Sequence, residues 1–221
     1  MMRCGLFGKM PAKGDFVSYG MERPFLGFWE TWLQTGVAMS REQLGDAWLD
    51  AYLEAPIWRF WLGEGIAGST VAGALMASVD KVGRYFPLSV CAIAPEGFRI
   101  APPPEAGLVH WLDEVEPFLL HLLDDELEDD PAELTATLAP PPLVSSHKDD
   151  SSVLGRMLQA DDGRLDKLFS SVSAEDHAQR SYWWTQGGAR ISPKLLVQKG
   201  MADSGLFAQL LTRAAPIAMA S

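Results

Sequence analysis

With 221 residues, 48% of them hydrophobic and 21% charged, the chain is long enough to bury a real core and too apolar to be a disordered protein. Its formal charge of −11 is concentrated between Asp113 and Glu133, where ten acidic residues and no Lys or Arg leave only −1 for the rest of the chain. That sign opposes phosphate neutralisation and argues against a nucleic-acid partner, and no apolar run reaches the roughly 18 residues that a membrane span requires.

Met1-Met2-Arg3 lacks the following apolar stretch and small-residue cleavage site of a signal peptide. Cys4 and Cys91 sit in apolar, strand-like context and read as packed thiols. The expectation is a cytoplasmic protein with no membrane insertion. In chain order, residues 3–8 suit a short strand that breaks into the loop Gly8-Lys9-Met10-Pro11-Ala12-Lys13-Gly14-Asp15-Phe16. Pro24 suits the first position of a helix carrying Phe25, Phe28, Trp29, Trp32, Leu33 and Val37 on one stripe. Ser40-Arg41-Glu42-Gln43 has capping-box form and predicts a second helix, with Leu44, Ala47, Trp48, Ala51, Tyr52 and Ala55 as its apolar stripe, ended by Pro56.

From Ile57 the pattern turns to strands near 57–62, 70–80 and 85–94, joined by short glycine turns and without intervening helices. Antiparallel pairing is the natural connection. Residues 105–128 read as a helix that Pro117 should kink or split, and Asp130-Pro131 opens another, with Asp as cap and Pro in the first turn. An exposed polar stretch over 145–152, a weaker helical signal over 153–171, strands over 181–185 and 195–197 and a helix over 206–211 complete the chain. The fold class expected is α/β of the α+β type, a mainly antiparallel sheet flanked by helices. It forms one compact domain over 1–221, with an acidic helical segment at about 105–140 inside it.

The search for chemistry is mostly negative. Gly8-Lys9 lacks the spacing of a phosphate-binding loop, because Arg3 and Met10 stand where that pattern needs Gly and Ser or Thr. His110, His121, His147 and His177 are scattered, and the acidic run lacks the alternating ligands and central glycine of a calcium loop, so no metal site or cofactor is expected. Ser78 and Asp80 lie two apart on one strand and share a face, with Arg84 across a turn. Without a histidine or a nucleophile elbow this group reads first as a brace, in which Arg84 pairs with Asp80 or with Asp15. Trp183 and Trp184 should place one ring on each sheet face, one in the core and the other covering a helix or exposed.

Several runs carry a resemblance. Gly8-Lys9-x-Pro11-x-x-Gly14-Asp15-Phe16 comes first, followed by Trp48-Leu49-x-x-Tyr52 with Pro56-x-Trp58-Arg59-Phe60. Ser78-Val79-Asp80-x-Val82-Gly83-Arg84-Tyr85-Phe86-Pro87-Leu88 and Trp183-Trp184-Thr185-x-Gly187-Gly188 follow in the same order. In these the chain strongly resembles the TagF (ImpM) family associated with bacterial type VI secretion, while residues 100–175 match little beyond being helical and acidic.

The resemblance implies a non-enzymatic post-translational repressor that binds a cytoplasmic forkhead-associated scaffold protein. It supplies no catalytic residues. The candidate binding surface is Lys9, Gly14, Asp15, Ser78, Asp80, Arg84, Trp183 and Trp184, with the Gly8–Phe16 loop expected against the Asp80–Arg84 turn. The alternative is a small-ligand sensor or an unrecognised enzyme using Lys9, Asp15, Ser78, Asp80 and Arg84. A ligand-sized pocket with strongly shifted ionisable groups would favour that alternative, and a flat or solvent-open cluster the repressor. Oligomeric state has no signature in the sequence.

Overall fold

A computed structural model of the chain describes residues 2–146 and 177–212. The helical signal over 153–171, and the polar stretch 145–152 apart from its first two residues, lie outside the described residues.

The apolar runs form one seven-stranded, wholly antiparallel sheet. In chain order its strands are β1 (Cys4–Lys9), β2 (Phe16–Tyr19), β3 (Trp58–Leu62), β4 (Val71–Met76) and β5 (Leu88–Ile93), and later β8 (Arg180–Thr185) and β9 (Lys194–Lys199). Their spatial order is β2-β1-β5-β4-β3-β8-β9. The expected neighbours β3, β4 and β5 do lie side by side. A separate small ribbon pairs β6 (Phe98–Arg99) with β7 (Val144–Ser145).

Helices cover both faces. On one lie α1 (Arg23–Leu44), α2 (Trp48–Leu53) and α6 (Leu206–Leu211). On the other lie α4 (Ala106–His121) and α5 (Pro131–Ala136), while α3 (Glu64–Ala67) is a single turn after β3. Antiparallel sheets often leave one face to water and then alternate apolar with polar. Here β3 and β4 are buried at every residue, because each face has its own core.

The strand period of two sorts the aromatics between those cores. Phe7, Trp58, Phe60 and Trp183 face α1, where Trp32 stacks on Trp183 at 4.8 Å and Trp29 lies 4.6 Å from Phe60. Leu6, Trp61, Tyr182 and Trp184 face α4 and its Leu108, Trp111, Leu112, Val115 and Leu119. The expected α+β fold, an antiparallel sheet flanked by helices in one compact domain, is the one that forms.

Several boundaries moved. Ser40 caps no helix: α1 runs through it to Leu44, and its buried hydroxyl donates to the Val37 carbonyl (2.9 Å) while accepting from Trp48 Nε1 (2.8 Å). Gly45 ends α1 instead, at φ 50°. Pro117 does not split α4, whose real end is His121; beyond it the Asp124 carboxylate takes the Glu126 N–H at 3.0 Å and turns the chain. β4 stops at Met76 rather than running to residue 80, and β5 starts at Leu88, just after Pro87, which has no N–H for a ladder. Asp130 caps α5 as expected, accepting the Ala132 N–H at 2.8 Å.

Candidate functional site

β1 ends at Lys9 beside β5, and two segments leave the sheet there: the loop between β1 and β2, and the turn between β4 and β5. Gly8 permits the approach. Its φ is +139°, and a Cβ there would collide with the Pro87 carbonyl at the entry to β5. Gly83, at φ 84°, closes the turn, its N–H on the Asp80 carbonyl at 2.9 Å.

Asp80 is the hub. Its Oδ1 accepts the main-chain N–H groups of Val82 (3.1 Å) and Arg84 (2.8 Å). Its Oδ2 accepts Arg84 Nε at 2.6 Å and the ammonium of Lys9. The Asp80 side chain is 0% exposed and that of Lys9 only 6%. Burial alone would push the Asp80 carboxyl up. The donors from Lys9, Arg84 and Val82 override it and hold the group well below the usual carboxylate range. An ionised carboxylate has about four lone-pair sites, and four protein donors occupy them here. None is left over for a substrate proton.

The loop and turn are sewn together across this hub. Arg84 extends its Nη2 to the Gly14 carbonyl (2.6 Å), and the Lys81 N–H bonds the Lys13 carbonyl (3.0 Å). Ser78 Oγ donates to the Lys9 carbonyl at 2.7 Å. From α2 the fully buried Tyr52 hydroxyl donates to the Ser78 carbonyl and accepts its N–H, both at 3.0 Å. Phe16 stacks 5.8 Å from Phe7, meets Phe86 edge-on and lies under the Lys9 ammonium at 4.9 Å. Above this framework Gly14, Asp15, Phe16 and Lys81 to Arg84 are exposed.

The structure therefore gathers Lys9, Gly14, Ser78, Asp80 and Arg84 into one cluster. Asp15 stands on its rim but does not pair with Arg84. Its Oδ1 takes the adjacent Phe16 N–H at 2.8 Å, and the guanidinium, anchored by Asp80 four residues earlier, goes to a carbonyl instead. Trp183 and Trp184 do not belong to this surface: at 0% and 1% exposure they lie in opposite cores, β8 being covered on both faces.

Two buried polar residues, Tyr52 and Arg59, stood in the runs that carry the resemblance but were given no place in the candidate surface. Tyr52 read as one more stripe residue, and its hydroxyl on an apolar stripe was the physical signal of a buried partner. Arg59, on β3, is 2% exposed and reaches Glu116 (2.6 Å) and Asp113 (2.7 Å) on α4. The acidic window thus has structural duties: Asp113 and Glu116 hold Arg59, while Asp124 and Asp130 cap backbone turns. Asp125, Glu126 and Glu128 instead line an open groove of about 750 Å³ together with Ala12, Lys13, Lys81 and Leu127.

Comparison with known proteins agrees with this architecture. Residues 5–139 match the family model described as the TagF N-terminal domain, type VI secretion system-associated. A crystal structure of PA0076 from Pseudomonas aeruginosa PAO1 superposes with a TM-score of 0.75 at 32% identity, covering 97% of this chain and 96% of that one. No curated protein matches.

Proposed function

Because the chain belongs to the TagF family of type VI secretion-associated proteins, we propose that it represses type VI secretion after translation, by binding a cytoplasmic forkhead-associated scaffold protein and turning over no substrate. The family match over residues 5–139 carries the association with secretion. The repressor role and the scaffold come from what the resemblance of its motifs implies.

The geometry of the cluster supports a binding role over a catalytic one. A general base needs a free lone pair within reach of a substrate proton. Asp80 spends its lone pairs on Lys9, Arg84 and the turn amides. The groove beside the cluster is open to solvent and lined by charges, unlike the mostly apolar clefts that enclose small ligands. The cluster works as a rivet that presents the loop and turn as one rigid surface. The acidic residues with no structural duty then add a field that speeds encounter with a basic partner surface.

The test is direct. Purified protein titrated with the scaffold should bind it, and its overproduction in a secreting strain should lower secretion of type VI cargo without changing scaffold abundance. Failure of the folded protein to bind, or secretion unaltered by overproduction, removes the repressor reading. Replacing Asp125, Glu126, Glu128 and Asp129 by their amides should slow association at low salt and matter less at high salt. Unchanged association rates would discard the steering role alone.

A further inference from the structure

The groove next to the rivet carries both signs of charge without pairing them. Lys13 comes from the β1–β2 loop and Lys81 from the β4–β5 turn, and these two segments are tied by the Lys81 N–H to Lys13 carbonyl bond. Asp125, Glu126 and Glu128 come from the segment after α4. The Lys13 ammonium reaches this segment at the main-chain carbonyl of Glu128 (3.1 Å), not at a carboxylate. Among the described residues no ion pair joins Lys13 or Lys81 to Asp125, Glu126 or Glu128.

Ala12 and Leu127 are the apolar lining residues, and Leu127 is 8% exposed, so no apolar anchor is on offer. The carboxylates repel a nucleic acid or an anionic lipid headgroup, and a purely basic peptide would leave both lysines without a counter-charge. The occupant these charges fit is an extended stretch of polypeptide with acidic side chains toward the lysines and basic ones toward the carboxylates. Such a stretch would replace water on both sets of charges at once, and its register would be set by their order.

Resting on the repressor reading above, we infer that this groove is where the scaffold docks, through a polar segment in which acidic and basic residues alternate or adjoin. The rivet fixes the position of the lysines, and the turn at Asp124 that of the carboxylates.

The experiment measures scaffold affinity for the wild type, for Lys13→Glu with Lys81→Glu, for Glu126→Lys with Glu128→Lys, and for Lys199→Glu. Lys199 is an exposed charge on β9, at the opposite edge of the sheet. Each groove variant should lose about tenfold or more in affinity and flatten the salt dependence, with Lys199→Glu within about twofold of wild type. A photo-crosslinking residue at exposed position 126 should capture a scaffold peptide bearing both signs of charge. Wild-type binding with groove variants inside that twofold band overturns the groove while leaving the repressor reading standing. So does a crosslinked peptide that is apolar or of a single sign. Absence of wild-type binding overturns both.

Discussion

Tyr52→Phe isolates the contact by which α2 holds the turn. The phenylalanine keeps the ring stacked 4.7 Å from Trp48 and edge-on to Tyr85 at 6.0 Å, so packing is conserved and only the hydroxyl goes. Of the two peptide groups it served, the Ser78 carbonyl keeps a donor in the Phe86 N–H at 3.1 Å. The Ser78 N–H, in a residue 4% exposed, loses its acceptor. One stranded buried donor costs about 1–3 kcal/mol. For a chain of this size about 2 kcal/mol lowers Tm by roughly 4–8 °C.

The same hydroxyl predicts a pH signature. Burial pushes the Tyr52 phenol up, against the smaller downward pull of the Ser78 hydrogen bond and Arg41, so the unfolded chain ionises first. The contribution is complete below about pH 10 and falls as pH rises, by about 1.4 kcal/mol per unit. Urea denaturation from pH 7 to 11 should show the wild-type advantage over Tyr52→Phe narrowing above pH 10. A Tm within about 1 °C of wild type at pH 7 would refute the account, since it would mean that the Ser78 N–H reaches water.

Gly8→Ala should be strongly destabilising in thermal melts, by about 2 kcal/mol or more, because φ of +139° and the Pro87 carbonyl both exclude a Cβ. Gly14→Ala should be nearly neutral, since nothing lies within 4 Å of a Cβ there and the residue serves through its carbonyl. Asp80→Asn should lower stability at pH 7, and the gap should close as pH falls from about 4, the range in which the unfolded wild type takes up its proton while the native carboxylate, held low by its donors, resists; parallel acid limbs in denaturant titrations would contradict the rivet. Trp29→Phe should cost about 1 kcal/mol more than Trp183→Phe by chemical denaturation, because Trp29 Nε1 bonds Ser89 Oγ at 2.9 Å whereas Trp183 Nε1 is buried with no partner among the described residues.

β1, β3, β4, β5, β8 and β9 were readable because each holds a short apolar run bounded by Gly, Pro or charged residues, and a period of two leaves little freedom where both faces are buried. β2, β6 and β7, short and partly exposed, were not read. The helix boundaries failed where one residue type serves two chemistries. Ser40 followed by Gln43 satisfies a capping pattern, yet the hydroxyl is worth more to the indole of Trp48, a tertiary partner that no local window contains. The cluster followed the same rule. Lys9, Asp80 and Arg84 were recognisable as opposite charges beside glycines, but Asp15 was as plausible a mate for Arg84 as Asp80 until the turn had formed. In the turn, Asp80 already accepts the N–H groups of Val82 and Arg84, and this places its second oxygen within reach of the same guanidinium. Asp15, at the start of β2, spends itself on the next amide. The choice between them is thus made by backbone geometry, which is why the ingredients of the rivet were legible and its wiring was not. Trp183 and Trp184 make the converse point: alternation put them on opposite faces, but only the count of helices above and below the sheet decides that neither face is a surface.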